Sequence, residues 1–145
     1  MSPAVRRIAF LATMWSLMAL AVWPTAVTFG PEIEGRVFPV VSHTTFKHSI
    51  PVDFNVTAVW GSFHKERECS FKRLEWYQTA SGLPDVIVPV TYLEGAKNRG
   101  EGLHEFGEWR VNMAHGMVES NSLIIAFHRC HPLWLTETIM YRGES

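Results

Sequence analysis

The chain has 145 residues, of which 47% are hydrophobic, and this supply of apolar side chains suits one compact domain with a core of its own. Residues 1–29 contain Arg6 and Arg7 but no acid. Of the 13 basic residues, 11 therefore remain beyond this segment against 14 acidic ones, a net charge of −3. This charge argues against a nucleic-acid partner, because phosphates require a basic surface.

An apolar segment begins directly after Arg6 and Arg7. No charged side chain occurs from residue 8 to Phe29. As a helix these residues would be about 33 Å long, enough to cross a hydrocarbon core of about 30 Å. The pattern predicts a signal anchor over residues 1–29. The alternative is a signal peptide cleaved after Ala21, because residues 19–21 form a small-x-small site.

The two arginines also predict the orientation. Positively charged flanks stay in the cytoplasm, so the chain from Gly30 onward is expected on the far side of the membrane. The prediction is a single-pass protein with a periplasmic or extracellular domain, or a secreted domain if the signal is cleaved. Such compartments are oxidising, and Cys69 and Cys130 are therefore predicted to form a disulfide.

The remainder of the chain has the pattern of β-strands. Residues 30–36, with two glycines and Pro31, predict a linker to a domain at residues 37–145. Alternation of period two is clearest at residues 52–60, whose proposed apolar face consists of Val52, Phe54, Val56, Ala58 and Trp60. Other predicted strands lie at residues 37–41, 71–77, 86–93, 109–113, 123–130 and 134–141. About seven short strands predict a mainly β protein, an antiparallel β-sandwich preceded by one hydrophobic helix.

The order Cys69, Trp76, Cys130 resembles the Cys…Trp…Cys arrangement of immunoglobulin-like sandwiches. Two departures are evident. Only six residues separate Cys69 from Trp76. Immunoglobulin domains have a tyrosine two positions before the second cysteine, and this chain has His128 there. The resemblance implies an architecture, immunoglobulin-like or similar, and no ligand.

A zinc site is the alternative to the disulfide. His128, Cys130 and His131, joined by the distant His104, carry the imidazole and thiolate groups that zinc prefers. The chain lacks the closely spaced CxxC or HxxxH pairs typical of such sites. A disulfide flanked by hydrogen-bonded histidines is therefore the preferred interpretation.

A second group of candidate residues is basic. Lys65, Arg67, Lys72 and Arg73 lie among acidic side chains. They predict either a site for an anion or a lipid headgroup, or a charged strand edge that discourages pairing with other chains.

No catalytic residue and no cofactor is predicted, because the chain contains no GxSxG, phosphate-binding loop or HExxH motif. The sequences KERECSF (residues 65–71) and HRCHPLW (residues 128–134) resemble small uncharacterised proteins encoded by bacteriophages and bacteria, which implies no activity.

We expect a membrane-anchored extracytoplasmic binding domain that contacts the membrane through residues 8–29 and either binds a protein partner or self-associates. The alternative is an extracytoplasmic metal-dependent or hydrolytic enzyme that uses His128, Cys130 and His131.

Overall fold

A computed structural model describes residues 2–80, 83–93 and 98–143 of the chain. One long helix, α1 (Pro3–Val37), comes first, and the Ser2 hydroxyl caps it by accepting a hydrogen bond from the Val5 N–H at 3.4 Å. The strands in this part of the chain are β1 (Val41–Asp53), β2 (Val56–Lys65), β3 (Ser70–Ala80), β4 (Leu83–Val88), β5 (Val90–Tyr92), β6 (Gly102–Val111), β7 (Ser122–Arg129) and β8 (Thr136–Arg142). A 3-10 helix, His115–Met117, precedes β7.

Helix α1 continues through residues 30–36, so the prediction of a linker there is wrong. Pro24 and Pro31 lie inside the helix, although each removes a backbone donor. The final turns pack against β8, and these tertiary contacts outweigh the poor helix propensity of the segment. The helix ends where the Phe38 N–H donates to the carbonyl of Glu34 at 2.8 Å.

The strands form two antiparallel four-stranded sheets, in the orders β1-β2-β6-β5 and β4-β3-β7-β8. The predicted antiparallel β-sandwich is thereby confirmed. With β1 to β8 taken as A, B, C, C′, D, E, F and G, these orders become A-B-E-D and C′-C-F-G. This is the strand order of immunoglobulin-like sandwiches, with one added C′ strand.

Aromatic side chains from both sheets fill the space between them. Phe46 of β1 lies 5.8 Å from the Trp76 ring of β3, 6.3 Å from Phe106 of β6 and 4.6 Å from Tyr141 of β8, measured between ring centroids. Trp76 is only 1% exposed. Its indole N–H donates to the Ser122 hydroxyl at 2.8 Å, which satisfies the one polar group that the ring brings into the core.

The predicted strand at residues 52–60 is two strands. A hairpin turn at Phe54 and Asn55 separates β1 from β2, and Asp53 pairs with Val56 across it. Phe54, placed by the alternation on the apolar face, is 88% exposed at the tip, whereas Thr57, which lies between two residues of that face, is fully buried. The Thr57 hydroxyl donates to the Met113 carbonyl at 2.8 Å, so the polar side chain is satisfied inside the core.

The predicted strand at residues 86–93 is also divided, at Pro89. Val88 ends β4 in one sheet and Val90 begins β5 in the other, so the chain crosses between the sheets at the proline. Both strands lie at sheet edges. A proline is tolerated at this position because it has no N–H to donate and edge strands have a neighbour on one side only.

Candidate functional site

The contact between α1 and the sandwich is a compact polar cluster, which we call the junction and define as Glu34, Gly35, Arg67, Trp134 and Thr136. The Glu34 carboxylate accepts hydrogen bonds from the indole N–H of Trp134 at 2.8 Å and the hydroxyl of Thr136 at 2.9 Å. The guanidinium of Arg67 donates to its other oxygen at 3.0 Å. The Glu34 side chain is only 16% exposed. One carboxylate therefore connects the helix to the loop before β8, to β8 itself and to the segment after β2.

Two glycines allow the helix to approach this closely. A Cβ placed on Gly35 would stand 1.7 Å from the carbonyl oxygen of Glu137 in β8. One on Gly30 would stand 3.1 Å from the nearest atom of the Trp134 ring. The helix backbone thus lies directly on the β8 backbone and close to the Trp134 ring, and a side chain at Gly35 would prevent the contact with β8.

The protonation state of Glu34 depends on these contacts. Burial alone would raise the pKa of its carboxyl, but the hydrogen bonds from Trp134, Thr136 and Arg67, with the charge of Arg67, outweigh burial. The net result is a pKa below its ordinary value of 4.5. Glu34 is consequently ionised at neutral pH, the form that accepts charge-assisted hydrogen bonds best.

This pKa shift predicts a pH-dependent contribution to stability. A carboxyl group whose pKa is lower in the folded than in the unfolded state stabilises the folded state at pH values above the unfolded-state pKa. This contribution to the free energy of unfolding disappears as the pH falls through the folded-state pKa. At pH 7 we expect Glu34→Gln to lower the free energy of unfolding by about 1–3 kcal/mol, because charge-assisted bonds are replaced by neutral ones. Below pH 4.5 the difference between variant and parent should shrink as Glu34 itself becomes protonated.

Urea titrations of the full chain in detergent micelles at several pH values measure this difference. Glu32→Gln is the matched control, because Glu32 forms a solvent-exposed pair with Arg36 on the same helix. Its effect should stay small at every pH. A Glu34→Gln effect that does not change with pH would contradict the role assigned to the ionised carboxylate.

The predicted anion or headgroup patch does not form a cationic surface. Lys65 is buried, and its ammonium donates to the carbonyls of Cys69, at 2.9 Å, and of Arg99. Arg67 binds Glu34 in the junction and the carbonyl of Phe38. Lys65 and Arg67 are therefore engaged within the fold and do not contribute to such a patch.

The other two members of that group lie on β3. Arg73 pairs with Glu75 at 2.7 Å and places its guanidinium 4.0 Å from the centre of the Phe127 ring. Lys72 is exposed. The four basic side chains thus have separate surroundings: Lys65 is buried and Arg67 is half-buried, whereas Lys72 and Arg73 are exposed.

Cys69 and Cys130 form the predicted disulfide, with their Cα atoms 4.8 Å apart. The bridge joins the residue before β3 to the residue after β7, next to the Ser70–Arg129 pair of the same sheet. It differs from the bridge of immunoglobulin domains, which joins two sheets. Trp76 lies further along β3, stacked on Phe46.

The candidate zinc ligands are not brought together. Both cysteine sulfurs are in the disulfide, which removes the thiolate that zinc would require. The His131 ring stacks on Trp134 at 4.1 Å, and the His104 Nε2 is 2.8 Å from the Gly100 carbonyl oxygen. Within residues 2–80, 83–93 and 98–143, no three His, Cys, Asp or Glu side chains are placed to share a metal ion.

His128 is a buried core residue. It is 3% exposed and lies edge-on to Phe71, 5.6 Å between ring centroids. Burial, aided by the positive charge of Lys65, lowers the pKa of His128 to about 4, so the ring is neutral at physiological pH. Its Nδ1 is buried without a hydrogen-bond partner. A neutral, enclosed imidazole of this kind cannot reach an external substrate.

A serine, two histidines and a glutamate meet at a bulge in β1. His43 has a left-handed backbone with φ 49°, and its Nδ1 lies 2.8 Å from the Ser42 hydroxyl oxygen. That hydroxyl donates its single proton to the Glu66 carboxylate, so it accepts from His43. His64 Nδ1 lies 3.1 Å from the same carboxylate. Because the Ser42 proton is held by the Glu66 carboxylate, these contacts connect the bulge of β1 to the segment after β2.

Compared with known proteins, the chain matches no family model, no curated protein and no solved structure. The resemblance of residues 65–71 and 128–134 to small phage and bacterial proteins stays a prediction.

The junction was not predicted from the sequence. Its signal was the pair Glu32 and Glu34 directly beyond the apolar segment, with Gly30 and Gly35 nearby. These residues look like a polar linker when considered alone. The partners of Glu34 that could have identified it, Trp134 and Thr136, are 100 and 102 residues away in the chain.

Proposed function

We propose that this chain is a single-pass membrane protein that presents an immunoglobulin-like sandwich outside the cytoplasm as a binding module. The observation that carries the proposal is the surface of α1. It is long and apolar enough to cross a membrane, and none of its most apolar 18-residue window is buried against the domain. Such a continuous apolar surface is unfavourable in water and favourable in lipid.

The junction supports a tether of fixed direction. Helix α1 passes without interruption from the apolar segment into the contacts of Glu34 and Gly35 with β8. A flexible linker would let the domain rotate freely above the membrane. In this protein the helix ends within the junction, so the contacts of the junction fix the orientation of the sandwich relative to the helix and thereby to the membrane surface.

The direction of insertion rests on charge and on the disulfide. Arg6 and Arg7 are the only charged residues before Glu32, which favours a cytoplasmic N-terminus. The Cys69–Cys130 bridge is typical of an oxidising compartment and favours an extracytoplasmic domain.

The end of the sandwich opposite the junction supports a binding role. The strand ends there include the turn between β1 and β2 and the end of β3. Several large apolar side chains at this end are exposed, among them Ile50, Val52, Phe54 and Leu83. Exposed apolar side chains gathered at one end are typical of contact surfaces for proteins, including a second copy of the same chain.

Fractionation after expression in bacteria tests the anchor. The parent chain should remain in the membrane pellet after alkaline carbonate extraction, with its full mass. Leu17→Arg combined with Leu20→Arg should release it, because each arginine near the centre of a span costs about 2.5–3.5 kcal/mol. Val37→Arg, an exposed change on the same helix beyond the span, is the matched control and should stay in the pellet.

Protease added outside intact spheroplasts tests the orientation and should digest the domain. Parent protein in the soluble cytoplasmic fraction would refute the proposal. A mature chain beginning near Val22 would replace the anchor with a cleaved signal.

A further inference from the structure

The loop between β7 and β8 lies beside α1 at the level where the apolar segment ends. Trp134 in this loop packs on Gly30, the first residue beyond Phe29. Since residues 8–29 match the thickness of the hydrocarbon core, Gly30 and the ring that covers it lie at the membrane–water interface. Tryptophan is enriched at this depth because its ring is apolar and its N–H is polar. The Trp134 N–H is satisfied by Glu34 at 2.8 Å.

A groove of about 850 Å³ runs along α1 and reaches Trp134. Its walls are almost entirely apolar. The residues of the spanning segment that line it are Ala21, Val22, Thr25, Ala26 and Phe29. Acyl chains surround these residues in a membrane, so the groove opens directly onto lipid and is continuous with the lipid-facing surface of the anchor.

The same loop exposes further groups that suit a membrane surface. Leu133, next to Trp134, is 51% exposed, and Pro132 beside it is also exposed. The His131 ring stacks on Trp134, and the exposed Arg129 ends β7 just before the loop. An apolar tip with a cation nearby matches the layer in which acyl chains meet phosphate headgroups.

We infer that the loop between β7 and β8 is a second membrane contact, and that an acyl chain of a membrane phospholipid occupies the groove between α1 and Trp134. This inference rests on the proposed function, because it requires residues 8–29 to span the bilayer. The base of the sandwich then lies on the bilayer surface, and the junction and the lipid together hold the domain upright.

Quenching of tryptophan fluorescence by brominated phospholipids tests the contact, because bromine quenches only rings that lipid chains touch. The full chain carrying Trp15→Phe and Trp23→Phe is reconstituted into phosphatidylcholine vesicles with brominated acyl chains. Of the six tryptophans, Trp60, Trp76, Trp109 and Trp134 remain. We expect quenching that is lost on adding Trp134→Phe and reduced by Leu133→Asp.

Leu83→Asp is the matched control, since Leu83 is a similarly exposed leucine at the far end of the sandwich, and it should leave quenching unchanged. Leu133→Asp leaves the Trp134–Glu34 hydrogen bond in place, so it still tests the contact if Trp134→Phe unfolds the junction.

Two results overturn the inference but leave the proposed anchor intact. One is quenching that persists in Trp134→Phe. The other is an absence of quenching in protein that floats with the vesicles. Quenching that falls as the protein-to-lipid ratio rises would place a second copy of the chain in the groove and also overturns it. Failure to float with the vesicles refutes the proposed function itself.

Discussion

Replacing Cys69 or Cys130 with alanine should lower the free energy of unfolding by about 4 kcal/mol, which is the loop-closure entropy of a bridge that spans 61 residues. The bridge restricts the unfolded chain more than the folded one, because β3 and β7 are already paired in the native sheet. Against a total stability of about 5–15 kcal/mol for a domain, this loss is large.

The surroundings of the bridge add to this expectation. Cys69 is buried, and its carbonyl accepts a hydrogen bond from the ammonium of Lys65 at 2.9 Å. Burial lowers the pKa of Lys65, although the nearby carboxylates of Glu68 and Glu101 oppose this. A displaced Cys69 backbone would remove one of the carbonyls on which this buried ammonium depends, and such a loss is costly.

Three variants test the bridge: Cys69→Ala, Cys130→Ala and the double substitution. All three should be destabilised alike, because one interaction is lost in each. Urea titration measures the change, and a reductant should bring the parent to the same midpoint. A chelator is the control and should have no effect. Two alkylatable cysteines in the exported parent protein, or a parent destabilised by the chelator, would contradict the disulfide and favour zinc.

The elements that sequence predicted well are those with a local physical cause. The uncharged segment after Arg7 favours one continuous apolar helix, and the uninterrupted apolar run near Ile124 favours a strand. Both are present, in α1 and in the central strand β7. The disulfide followed from compartment and from the even cysteine count.

The errors have physical causes as well. The turn at Phe54 and Asn55 contains neither glycine nor proline, and apolar residues continue on both sides of it, so period-two alternation did not reveal the hairpin. Residues 30–36 contain helix-breaking residues, but contact with β8 keeps them helical. Such contacts join residues about a hundred positions apart, and one sequence carries no local signal of them.

Replacing Gly35 with alanine should release α1 from β8. Helix propensity alone predicts a gain of up to about 1 kcal/mol, because alanine is the better helix former. Packing predicts the opposite. The new Cβ would stand 1.7 Å from the carbonyl oxygen of Glu137 and 2.7 Å from its carbonyl carbon, and a backbone in a paired strand cannot yield as a side-chain tip can. We expect a net loss of about 1–3 kcal/mol.

The sign of this change separates two views of residues 30–37. If they are only the end of an anchor helix, Gly35→Ala is neutral or stabilising. If they form the junction, the helix must move away from β8, and Trp134 and Thr136 lose their bonds to Glu34. Hydrogen exchange should then rise in β8 and in residues 30–37 while β3 and β7 stay protected. Gly116→Ala is the matched control, because a Cβ there has no neighbour within 4 Å. A Gly35→Ala variant with unchanged exchange in β8 would show that helix and sandwich are not coupled through this contact.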